Sequence, residues 1–157
     1  MNKKLEMAWY GQRKNRPTID KAVFLKVLKE KSNQLVKTVK RLNYVFMSDD
    51  GLLQINQQYL NHNTYTDIIT FDLSIDEDII GEIYISLDRV QENAELYKQP
   101  IQHEFLRVLF HGALHLLGYK DKNKTDEAKM REAENECINL YFETLKRETF
   151  HVKQKKK

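Results

Sequence analysis

Apolar side chains recur along this chain at two spacings, and the change from one to the other marks out its elements. Ala22, Val23, Leu25, Val27 and Leu28 supply apolar positions after Thr18 and Asp20, either of which can cap a helix; this predicts a helix to about Lys31. Leu42 to Met47 (LNYVFM) is rich in Tyr, Val and Phe and predicts a strand. Ser48-Asp49-Asp50 then offers N-cap chemistry for a helix carrying Leu52, Leu53, Ile55 and Tyr59. Beyond the polar turn Asn61-His62-Asn63-Thr64, two strands are predicted, Ile68 to Leu73 (IITFDL) and Ile79 to Ile85 (IIGEIYI), with the acidic Asp76-Glu77-Asp78 as a hairpin connection. A helix follows from about Leu87 to Tyr97, and Pro100 suits the entry to another that runs to about Leu117. Met130, Ala133, Cys137, Leu140 and Tyr141 recur at helical spacing in a last helix from about Thr125 to Arg147.

Strands set among helices, with a hairpin in the middle, predict an α+β fold: a small mixed sheet of about four strands packed with five or so helices. A chain of 157 residues without a Pro- or Gly-rich linker reads as one domain over residues 1–150, with a basic tail over 151–157 expected to be disordered.

Composition narrows the function classes only a little. The absence of a long uninterrupted apolar run argues against a membrane span. The first residues (MNKKLEMAWYGQRK) contain no apolar core of a secretory signal. The single cysteine excludes an internal disulfide framework and fits a reducing cytoplasm, where Cys137 reads as a buried helix-face residue. A net charge of +3 permits an anionic partner without requiring one. The basic residues nevertheless gather in short runs, at Lys3 and Lys4, at Lys37 to Arg41 and in the tail at Lys153, Lys155, Lys156 and Lys157.

The candidate chemistry lies in His111-Gly112-Ala113-Leu114-His115-Leu116-Leu117-Gly118-Tyr119-Lys120-Asp121. Helical residues four apart share a face, so His111 and His115 can aim two imidazoles at one point. Gly118 can adopt the left-handed conformation that ends a helix, and the returning chain can bring the Asp121 carboxylate to the same point. Two nitrogens, one oxygen and an open fourth position suit a catalytic metal, most commonly zinc. With five histidines in the chain, a pair four apart means little alone; the glycine and the carboxylate beyond it sharpen the pattern. A turn or helix-cap role is the competing reading for Asp121, which lies in the polar stretch KDKNK. His62 and His103 read as surface residues. The zinc-peptidase motif HExxH requires a glutamate directly after the first histidine, and that place is held by Gly112.

HGALHLLGY with a ligand-type residue two positions on resembles the YbeY family of metal-dependent endoribonucleases. Asn56-Gln57-Gln58-Tyr59, Tyr65 to Asp72 (YTDIITFD) and Gly81 to Ser86 (GEIYIS) are similar to the family's upstream blocks, in order, over about residues 40 to 140. The resemblance implies an α+β fold, one bound metal usually taken as zinc, and cleavage of single-stranded RNA. It further implies a cytoplasmic role in ribosomal RNA maturation at the small-subunit 3′ end and in ribosome quality control. Ribosomal RNA and the small subunit would be the partners, with no DNA and no membrane. His111, His115 and Asp121 would be the metal and catalytic residues, with Thr66 and Asp67 behind them or, equally, capping the next strand.

Two positions depart from the family pattern. Its third ligand is most often histidine, here Asp121, and carboxylate oxygen is an acceptable zinc ligand. Its arginine after the tyrosine, a natural phosphate clamp, is Leu60 here. Lys120, Lys122 or Arg107 takes that role, or substrate is held less tightly. Two further readings stay open: a non-catalytic ribosome-assembly factor with a structural metal, and, more distantly, a metalloprotease-like hydrolase.

Overall fold

A computed structural model of the chain describes residues 4–155. Its element order is β1 (Glu6–Gly11), α1 (Lys21–Gln34), β2 (Thr38–Met47), α2 (Asp49–Leu60), β3 (Ile68–Asp72), β4 (Asp78–Ser86), α3 (Leu87–Leu96), α4 (Ile101–Leu116) and α5 (Lys124–Lys155). The four strands form one mixed sheet in the order β1-β2-β4-β3. β1 runs parallel to β2 and β2 parallel to β4, while β3 returns antiparallel to β4 through the predicted acidic hairpin. The α+β architecture is the one expected.

Alternation decides which face of the sheet is covered. Leu42, Tyr44 and Phe46 of β2 and Ile83 and Ile85 of β4 are buried on one face. Tyr44 stands opposite Ile83 in the register, so the two strands present the same face there. α1 packs on that face through Phe24, whose ring meets Tyr44 and Phe110. α4 packs there through Gly112, where an added Cβ would lie 2.9 Å from Ile68 and 3.0 Å from Ile83. A side chain at this position would have to displace the ends of these two isoleucines. The Tyr44 hydroxyl, fully buried, donates to the Leu109 carbonyl at 2.8 Å, so the core leaves no stranded polar atom there. α2 lies on the opposite face, where Tyr59 meets Phe71.

Caps fall where the side-chain chemistry placed them. Asp20 accepts from the Val23 N–H and Ser48 from the Gly51 N–H, each closing the first turn of its helix. Two expectations are corrected. β1 was not foreseen: its half-exposed residues pair with the distant β2, and they show no clean alternation of their own. α5 does not stop near Arg147 but continues to Lys155, so the basic stretch begins within the helix. Lys156 and Lys157 of the expected tail lie outside the described residues. Among the described residues no helix is long and apolar enough to cross a membrane. Cys137 is buried, and burial pushes its thiol up to about 11, which makes it a packing residue rather than a nucleophile at neutral pH.

Candidate metal centre

The site is assembled from the end of α4 and the turn that follows it. Gly118 has φ of +106°, and around it the Gly118 N–H bonds the His115 carbonyl at 3.0 Å and the Tyr119 N–H the Leu114 carbonyl at 3.0 Å. These are the two bonds of a Schellman motif, which reverses the chain directly after the helix. Asp121 is thereby returned to the two histidines. The capping role that competed for Asp121 falls instead to Asn123, whose side chain accepts from the Asp126 N–H at 2.8 Å at the start of α5.

His111 Nε2 and His115 Nε2 stand 3.0 Å apart, and Asp121 Oδ2 lies 3.1 Å from the second and 3.3 Å from the first. Ligand atoms held tetrahedrally at about 2.0–2.1 Å from zinc stand about 3.3 Å from one another, so this triangle has the size of a coordination face. The outward nitrogens decide what the inward ones carry. His111 Nδ1 is 2.8 Å from Glu134 Oε2, a carboxylate that only accepts. His115 Nδ1 is 3.0 Å from the Tyr119 carbonyl oxygen, which also only accepts. Both imidazoles therefore donate outward, and both inward Nε2 atoms present lone pairs. Two lone pairs and a carboxylate oxygen facing one point repel each other unless a cation lies among them. The three side chains can hold a metal ion.

Glu134, on α5, is a residue that the linear motif does not contain. It is 3% exposed, and besides His111 it accepts from Arg107 at 2.7 Å and lies 3.3 Å from Arg131. Burial alone would raise its pKa, but the bonds from His111 and Arg107 outweigh that and hold it below the usual carboxylate range. The same pair acts on His111: burial disfavours the imidazolium, and Glu134 more than reverses this, leaving a raised pKa. A carboxylate behind a metal-facing histidine fixes its tautomer and ring orientation. Its sequence signal was present: Glu134 falls four residues after Met130 and next to Ala133, on the buried face of its helix, where an acid needs partners.

Two hollows meet at His111 and Asp121. One, about 620 Å³, lies between α3, α4 and α5, with Tyr97, Arg107, Arg131 and Glu104 in its walls. The other, about 730 Å³, runs along β3 and the end of α2, past Asn56, Leu60 and Lys122. The three converging side chains stay partly open to these hollows, at 22%, 28% and 39% exposed for His111, His115 and Asp121. Asp67 lines both hollows, and its burial raises its pKa against the opposing pull of His111. Thr66 lies in the second hollow but spends its hydroxyl on the Ile68 carbonyl at 3.2 Å, the local role weighed against a supporting one. Glu104, 4% exposed, is pushed up to about 7 by burial, with Arg107 opposing.

The stand-ins for the arginine at Leu60 separate clearly. Arg107 is tied to Glu134 and, at 3.0 Å, to Asn135, and its side chain is 15% exposed, so it serves the centre rather than a ligand. Lys120 and Lys122 are exposed, the second on the wall that holds Leu60. His62 is exposed, as expected, whereas His103 is half-buried, with an Nδ1 that has no partner among the described residues.

Residues 11–141 match the family described as Endoribonuclease YbeY. A relative of that description from Flavobacterium psychrophilum is 50% identical over 118 residues, 75% of this chain and 78% of its own. Another, from Porphyromonas gingivalis, is 39% identical over 137 residues, 87% of this chain and 91% of its own. Among solved structures, the solution structure of a Thermotoga maritima protein superposes with a TM-score of 0.57 at 28% identity, covering 90% of this chain and 93% of that one.

Proposed function

This chain belongs to the YbeY endoribonuclease family, and we propose that it is a metal-dependent, single-strand-specific endoribonuclease of the cytoplasm. Its substrate is ribosomal RNA on or from the small subunit, cut during 3′-end maturation and ribosome quality control. His111, His115 and Asp121 hold one ion, and zinc suits two imidazoles and a carboxylate. The observation that carries this reading is the convergence of three acceptor atoms, each inward Nε2 freed by an outward hydrogen bond.

When bound, the ion supplies Lewis acidity toward a phosphoryl oxygen and a water acidic enough to ionise near neutrality. The chain's own contribution is placement. Glu134 and the Tyr119 carbonyl hold both imidazoles with their lone pairs inward. Arg107 holds Glu134 in turn. The two hollows leave room for a strand to pass on either side of His111 and Asp121. A purely structural zinc site is closed by its ligands, whereas this one opens on two sides. That favours catalysis over the assembly-factor reading, which the leucine at position 60 supports. A peptidase of the HExxH type is disfavoured by packing as well as by sequence: position 112 faces Ile68 and Ile83 with no space for a carboxylate.

The test is cleavage of a single-stranded ribosomal RNA fragment by purified protein of known metal content, beside a His111→Ala/His115→Ala double variant. Cleavage by the first and none by the metal-free second establishes the activity. Bound metal without cleavage in the wild type overturns it in favour of a structural metal in an RNA-binding assembly factor.

A further inference from the structure

Tyr97 ends α3 at the rim of the hollow that reaches His111 and Asp121, and it is 60% exposed. A single exposed aromatic is unremarkable in itself. This one stands on the wall of the hollow that leads to the metal-binding side chains, and its backbone is fixed by the helix end, with its N–H on the Asn93 carbonyl at 2.9 Å. Across the same hollow stands Arg131, whose side chain is 60% exposed and whose ion pair among the described residues is a 3.3 Å approach to a Glu134 oxygen already serving Arg107. Most of its guanidinium donors therefore face solvent. Of the carboxylates in the same walls, Glu134 is matched by His111 and Arg107, Asp121 faces the two histidines and Glu104 lies 3.9 Å from Arg107, while Asp67 and Glu127 share the walls with Lys124 as a further cation.

We propose that this hollow is a nucleotide subsite, in which a nucleobase stacks on Tyr97 and Arg131 grips the adjoining phosphate. It rests on the ribonuclease reading above and answers how a family member with leucine at position 60 holds its substrate: the cation comes from α5, on the other side of the metal from α2. An aromatic platform accepts any base but only an unstacked one, which is a reason for preferring single strands. Arg supplies a planar, bidentate match to phosphate without reading sequence.

The test uses the full chain, metal-loaded, with Tyr97→Phe, Tyr97→Ala and Arg131→Gln variants of checked metal content and thermal stability. Binding of a labelled single-stranded oligoribonucleotide is measured by anisotropy, and cleavage is followed as KM and kcat. Tyr97→Ala should weaken binding about 5- to 100-fold, raising KM more than it lowers kcat, while Tyr97→Phe behaves as wild type. An oligonucleotide with abasic residues should bind wild type and Tyr97→Ala alike. Arg131→Gln should weaken all sequences equally and lower the slope of log affinity against log salt by about one. Unchanged binding by Tyr97→Ala and Arg131→Gln overturns the subsite while leaving the ribonuclease reading intact. Wild-type protein that binds RNA without cutting it overturns the ribonuclease reading alone, because the binding comparisons still decide the subsite.

Discussion

Replacing Glu134 with glutamine keeps the volume of the side chain and removes only its charge, yet the structure gives the amide no satisfactory orientation. The carboxylate accepts from two donors at once, Arg107 at 2.7 Å on Oε1 and His111 Nδ1 at 2.8 Å on Oε2. A glutamine has one oxygen and one NH2. If its oxygen faces Arg107, the NH2 faces His111 Nδ1, which must then lose its proton and place it on Nε2, where the metal-binding lone pair was. If the oxygen faces His111 instead, the NH2 meets the Arg107 guanidinium, donor against donor. Hydrogen bonds to charged groups contribute roughly 1.5–3 kcal/mol and neutral ones about 1, so weakening both bonds should remove about 1–3 kcal/mol of stability. For a chain of this size each kcal/mol shifts Tm by about 2–4 °C. Loss of an outer partner of a metal-bound histidine lowers metal affinity about 10- to 100-fold. Zinc affinity measured by competition with a chromophoric chelator, alongside calorimetric melting of the metal-free protein, reads both quantities. A variant that binds zinc within twofold of wild type and melts within 1 °C of it would refute the reasoning and make Glu134 an incidental ion-pair partner.

Three further outcomes are expected. Asp121→Asn keeps the shape but loses the charge of the proposed third ligand, and zinc affinity by the same competition assay should fall at least as far as for Glu134→Gln. Gly112→Ala puts a methyl 2.9–3.0 Å from Ile68 and Ile83, and such overpacking should cost about 1–3 kcal/mol, read as a lower urea midpoint with an unchanged slope. Glu104→Gln should alter the pH dependence of stability. The folded chain holds that carboxyl near 7 against an ordinary 4.5, so its favourable contribution is complete below 4.5 and is lost as pH rises through about 7. The variant should therefore gain on wild type by up to roughly 3 kcal/mol between pH 5 and 8, and parallel melting curves across that range would contradict it.

The site was legible in the sequence to the extent that it is local. His111 and His115 share one helix face, and a glycine that must take positive φ announces where the chain turns back to Asp121, so eleven consecutive residues contain all three of the side chains that converge. Glu134 is separated from His111 by 23 positions, and nothing in the motif points to it. The clue was physical: an acid on the apolar stripe of α5. β1 was missed for a related reason. Its Glu6 to Gly11 are held by parallel pairing with Arg41 to Phe46, a contact that leaves no period in either segment. The stand-in for the family arginine illustrates a third limit. Arg107 and Arg131 look equivalent as letters, and only their surroundings distinguish a guanidinium locked on Glu134 from one with donors to spare.

The same distinction bears on the absent glutamate at position 112. Successive helical residues are rotated by about 100°, so the roll of α4 that aims His111 and His115 at Asp121 turns residue 112 onto the sheet. Glycine is what lets the helix lie close enough for Leu109, Ala113 and Leu116 to be buried there while the histidines remain reachable. Catalysis with this roll must take its proton acceptor from elsewhere. The walls of the first hollow offer Asp67, at the entry to β3, and Glu104, two turns before His111 on α4. In the proposed ribonuclease the packing of α4 would thus decide two things together: the stability of the helix on the sheet, and the side of the His111–His115–Asp121 cluster from which proton transfer can come.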